Sequence, residues 1–163
     1  MSDIDIPERQ IQAFKRFLTR LPHGADVDLL ILKAHLLVEE QVNALIRERL
    51  KSPDVLLQEE RFESIYRICL AQSFFEPGHW PWLWRSIGQL NKLRNRVAHQ
   101  IDPKGRDNIM EDIVQSIPST AGKDSRPLQE RFEFALWFLF EAISSLVEPE
   151  RASVLELVPS ATL

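Results

Sequence analysis

The stretch LNKLRNRVAHQ, residues 90–100, decides how the chain is read. Leu90, Leu93 and Val97 recur three and four apart, the spacing of one helix face, and Leu83 and Ile87 extend the stripe backwards. Arg94 falls inside that stripe, about 40° from Leu90 on a helix of roughly 100° per residue. Asn95 and His99 are four apart and share a face away from it. A core-facing guanidinium without a partner costs several kcal/mol, so Arg94 is expected to meet a carboxylate, a cluster of carbonyls or a bound anion. Glu39 and Glu40, on an upstream helix, are the candidates.

Working outward, the same periodicity gives further helices and no strand pattern. A first amphipathic helix runs from Pro7 to Leu21 on Ile11, Phe14, Phe17, Leu18 and Leu21, and Pro22 with Gly24 stops it. A second begins at Asp26, an N-cap by residue type, and ends before Ser52-Pro53. Its Ile31, Val38, Val42 and Leu45 share one face while Leu29, Leu32 and Leu36 lie nearly opposite, which predicts a helix central in a bundle or shared between a core and a partner. A third helix is expected over Gln58 to Phe75, with Phe62, Ile65, Ile68 and Cys69 buried. The fourth runs from about Trp82 to His99, a weakly helical patch covers Asn108 to Ile117, and the last helix extends from Ser125, as cap, to about Glu148. Its stripe is Leu128, Phe132, Ala135, Leu136, Leu139 and Ile143, with Phe134, Trp137 and Phe138 adding a second surface. The expectation is an all-α, single-domain bundle of about five helices over residues 1–149, with a short tail over 150–163, assembled as a two-fold dimer.

Composition limits the function classes. A chain of 163 residues with 44% hydrophobic and 27% charged residues suits one soluble domain with a real core. The single cysteine, Cys69, excludes an internal disulfide and any multi-cysteine zinc site. The acidic start MSDIDIPERQ lacks the positive, apolar character of a secretory signal, and the apolar runs are too short to span a bilayer, so a cytoplasmic protein without a membrane partner is expected. A net charge of -4 argues against a broad, non-specific grip on nucleic acid. No glycine-rich phosphate loop or repeat is present.

The charge is unevenly spread. Between Arg85 and Arg106 the chain carries Arg85, Lys92, Arg94, Arg96, Lys104 and Arg106 against Asp102 alone. Arginine holds phosphate oxygens through paired hydrogen bonds and histidine moves protons near neutral pH, so a basic segment beside His99 suits a phosphodiester backbone. The competing reading is structural: exposed arginines are ordinary, and a histidine at a helix C-terminus complements the dipole. Arg94 and His99 are five apart, roughly 140° around a regular helix. Only a long side chain, a loosened helix end or a two-fold dimer would bring them together, and the dimer is favoured. HWPWLW, residues 79–84, reads either as an aromatic platform or, with the better physical support, as an anchor with Pro81 in a first turn.

LRNRVAH resembles the Arg-Asn-x-x-Ala-His form of the motif of the HEPN superfamily, small all-helical domains marked by an arginine and, a few residues on, a histidine. HLLVEEQVNALIRERL and LWRSIGQLNKLRNRVAH are similar, more narrowly, to HEPN-like proteins of the mannitol operon repressor kind. The likeness covers the second to fourth helices. It implies a dimer whose motif helices line a cleft at the two-fold axis and, for active members, a metal-independent endoribonuclease that needs no cofactor. In that case His99 is the general acid or base, Arg94 steadies the phosphate and Asn95 orients the site; the basic segment itself offers Lys92, Arg96, Lys104 and Arg106 as candidate RNA contacts. Such proteins act as toxins with a cognate antitoxin or in defence. Those of the mannitol-repressor kind act instead as regulators that bind a protein or nucleic-acid partner, and there Arg94 would be structural.

Overall fold

Helix boundaries follow local chemistry at most of the breaks. The computed structural model describes residues 7–24, 26–101, 103–120 and 122–147, and every regular element among them is a helix. α1 (Glu8–Arg20) starts behind Pro7, which needs no N–H donor there. α2 (Val27–Arg49) is capped by Asp26, whose carboxylate accepts from the Asp28 N–H at 2.9 Å, as the sequence predicts. α5 (Pro81–His99) begins with proline in its first turn, and Gln100 terminates it in extended backbone. Trp80, immediately before it, is held at φ +45°, a left-handed conformation costly for a bulky residue, and Trp84 Nε1 donates to the His79 carbonyl at 3.1 Å across that turn.

Three segments depart from expectation. The single helix foreseen over Gln58 to Phe75 is instead a one-turn α3 (Asp54–Leu57), an irregular link, and α4 (Ser64–Gln72). Arg67 fixes that link by donating to the Leu57 and Phe62 carbonyls at 3.1 and 2.9 Å, which satisfies groups a continuous helix would have used internally. The patch after the fourth helix is a full helix, α6 (Arg106–Ser116), with Ile109, Met110, Ile113 and Val114 buried. α7 (Leu128–Val147) starts three residues after Ser125, so Ser125 does not cap it. The result is seven helices among the described residues where about five were expected. The foreseen end of the last helix and the tail lie outside them.

The core forms where α2, α5 and α7 meet, closed by α1, α4 and α6. Leu30, Ile31, Leu45, Leu83, Leu90 and Phe132 are fully buried in it. α1 lies on α7 through Phe17, whose ring stacks on Phe140 with centroids 4.4 Å apart, and through Phe14 against Trp137. The second apolar surface foreseen on the last helix is thus used in part by α1. Cys69 and Ile65, expected inside, are exposed: α4 is short and its buried residues are only Ile68 and Ala71. On α2, the face opposite the core leaves Leu29 and Leu36 42% and 54% exposed. No helix among the described residues is long and apolar enough to cross a membrane.

Candidate functional site

The C-terminal half of α5 has two chemically different sides. Leu83, Ile87, Leu90 and Leu93 are buried, Val97 is half-buried, and Asn95, Ala98 and His99 are exposed. Arg94 sits at the border, half-buried, and its Nη1 donates to the Asn95 Oδ1 at 2.8 Å. The expected partner carboxylates are engaged elsewhere, Glu40 by Arg16 and Glu39 by the Ser64 hydroxyl. A long side chain that reaches the surface relieves the need for a buried counter-charge, which is why the helical wheel overstated its burial.

Behind Arg94 lies a polar group that sequence reasoning did not single out. His35 of α2 is 4% exposed, and its Nε2 meets the Asn91 Oδ1 of α5 at 3.1 Å within the core. Its Nδ1 is buried without a partner. Burial pushes the imidazole below its ordinary pKa, the nearby Glu39 raises it, and Arg94 lowers it further. His35 also lines a small cavity between α2, α4 and α5 with Glu39, Ser64 and Arg67, at the lower limit for one water molecule. The signal was present in the sequence, since His35 falls on the apolar face with Ile31 and Val38 and Asn91 stands beside Leu90. A wheel drawn for one helix does not show that the two meet across 56 residues of chain.

The basic residues separate into two groups. Arg106 is held as a strut: its Nη1 meets the Asp28 carboxylate at 3.0 Å and its Nε meets Asp107 at 3.2 Å, tying the start of α6 to the start of α2. Its charge is largely met within the protein. Arg96 and Lys104 come together instead, Arg96 Nη1 donating to the Lys104 carbonyl at 2.6 Å, and with Gln100 and Ile101 they line an open depression just beyond the end of α5. Lys92 is exposed on the outer face. Among the described residues no ion pair involves any residue of α5, whereas Arg16, Arg47, Arg106, Arg126 and Arg131 all have carboxylate partners.

Arg94 and Asn95 are joined, and His99 is exposed a further turn along, five residues and roughly 140° around a regular helix from Arg94. The aromatic stretch is used internally. His79 stacks between Phe75 and Trp80 at 5.1 and 5.2 Å, Arg49 covers Phe75 at 5.7 Å, and Trp82 packs on Phe138. These contacts favour the anchoring reading over an open platform. No known protein family, curated protein or solved structure matches the chain.

Proposed function

We propose that the chain is a HEPN-type, metal-independent endoribonuclease, toxin- or defence-like, acting on RNA as a two-fold dimer in the cytoplasm. The observation that carries this reading is an exposed His99 at the end of an acid-free basic helix, one turn beyond the hydrogen-bonded Arg94–Asn95 pair. In the reaction the ribose 2′-oxygen bonds to the adjacent phosphorus while the bond from phosphorus to the next 5′-oxygen breaks. The 2′-hydroxyl loses a proton and the departing oxygen gains one; His99 serves one of these transfers, and Arg94 meets the phosphate charge. Because Arg94 and His99 diverge within one protomer, the site is completed across the two-fold axis. The exposed Leu29 and Leu36, on the face of α2 turned away from the core, are apolar surface open to self-association.

A second reading has its own support. Arg94 spends a hydrogen bond on Asn95 of its own helix, and its charge is felt by His35 of α2, so it stands on the side of α5 that faces α2. This favours a non-catalytic HEPN-like dimeric regulator of the mannitol operon repressor kind, binding a protein or nucleic-acid partner.

Incubating the purified protein and His99→Ala with RNA in EDTA, followed by end-group analysis, separates the two. Fragments ending in 2′,3′-cyclic phosphate, made by the parent alone, are expected. A folded parent that leaves the RNA intact moves the assignment to the regulator.

A further inference from the structure

Arg85, Lys92 and His99 stand at seven-residue intervals on α5, and all three are exposed. Two turns separate each from the next, so they form a line down the helix with about 20° of drift per step and about 21 Å from end to end. Gly88 lies between the first two, and a Cβ added there would meet nothing within 4 Å, so the floor of the line is open. Asn95 and Arg96 flank its lower part, and beyond His99 it runs into the depression formed by Arg96, Gln100, Ile101 and Lys104. α5 contains four Lys or Arg and no Asp or Glu, in a chain where acids outnumber bases 24 to 20. Arg94, by contrast, lies off the line, toward α2.

We infer that the outer face of α5 is a track for single-stranded RNA, entering at Arg85, passing Lys92 over Gly88 and delivering the strand to His99 and the Arg96–Lys104 depression. A single row of cations on a convex helix matches one phosphate backbone. A duplex presents two strands across a groove and would leave one of them unmet. The inference deepens the ribonuclease reading and rests on it for the role of His99, but it assigns new parts to Arg85 and Gly88, which are remote from any bond being broken.

Gly88 gives a test in which binding and stability move in opposite directions. Gly88→Glu and Gly88→Gln both replace a helix-interior glycine by a good helix former in open space, so each should raise the melting temperature by about 2–4 °C. Only the glutamate sets an anion between Arg85 and Lys92. With a short fluorescein-labelled single-stranded RNA in an anisotropy titration, the distant surface variant Lys15→Gln should bind like the parent, and Gly88→Gln is the uncharged control for the bulk that Gly88→Glu adds to the floor. Gly88→Glu and Arg85→Gln/Lys92→Gln should bind roughly tenfold or more weakly. The double variant should also flatten the slope of log affinity against log salt by about 1.4, from about 0.7 per lost phosphate contact on a single strand. Parent-like binding by both track variants, no binding by the parent, or equal binding of the annealed duplex overturns the track. Cleavage assays on the same variants keep the two ideas apart. Binding that depends on the track without cleavage leaves the inference standing and removes the nuclease; normal cleavage by the track variants does the reverse.

Discussion

Acidification should weaken the fold through one buried imidazole, and the size of the effect follows from its surroundings. His35 is 4% exposed, has one hydrogen bond, to Asn91, and an Nδ1 with no partner, so protonation would place an unmet donor and a charge inside the core. Burial and Arg94 hold its pKa below the ordinary 6.5, with Glu39 opposing. The unfolded chain therefore takes up a proton at pH values where the folded chain does not. Stability that is complete above about pH 6.5 is lost as the pH falls toward the folded-state value, with a slope that approaches about 1.4 kcal/mol per pH unit. Glu141 acts in the opposite sense. It is 9% exposed on α7, and burial raises its pKa above 4.5 despite the hydrogen bond from Gln10. Its stabilising contribution is full below about pH 4.5 and is lost as the pH rises through the folded-state value. The two overlap, so the comparison belongs in a Glu141→Gln background, where glutamine keeps an acceptor for Gln10. His35→Gln in that background keeps an N–H for Asn91 and removes the titration. Urea melts between about pH 7 and pH 5 should show Glu141→Gln losing stability on acidification while the double variant stays nearly flat. Parallel pH profiles for the two would refute the burial argument.

Three further outcomes are expected. Phe17→Ala removes a fully buried ring stacked on Phe140, one of the contacts that hold α1 on α7, and should cost about 3–5 kcal/mol in the same urea assay. Arg106→Gln breaks the strut to Asp28; the pair is partly exposed, so the loss should be about 1 kcal/mol or less, and RNA affinity should fall less than for Lys92→Gln in an anisotropy titration. Leu36→Glu places a charge on the exposed face of α2 and should leave the helical content by circular dichroism unchanged while converting a dimer to monomer in light scattering; a parent that is already monomeric removes that face from the proposal.

The elements that end on chemistry were legible in the sequence. Asp26 and Pro81 mark helix starts because a carboxylate cap and a missing N–H act locally. α6 was underestimated because it enters from Gly105 in a left-handed turn with no side-chain cap, so no residue type announces it. The division of α3 from α4 depends on Arg67 reaching back to carbonyls five and ten residues earlier, a tertiary bond that periodicity does not contain. At the candidate site the sequence located Arg94, Asn95 and His99 on one helix and the excess of positive charge around them. It placed Arg94 too deep, because a wheel treats a long, flexible side chain as a point. It grouped Arg106 with the candidate RNA contacts without showing that it pairs with Asp28, 78 residues away.

The buried pair and the exposed line belong to one arrangement. α5 is gripped near its middle by Asn91 against His35, on the side facing α2, while Arg85, Lys92 and His99 occupy the side facing solvent. An apolar contact at that point would constrain α5 by shape alone, through the fit of its side chains against α2. A buried hydrogen bond adds a constraint of its own, because any slip leaves both partners unsatisfied in the core. The polar pair thus sets the register of α5, and with it the direction in which His99 and the two cations above it point.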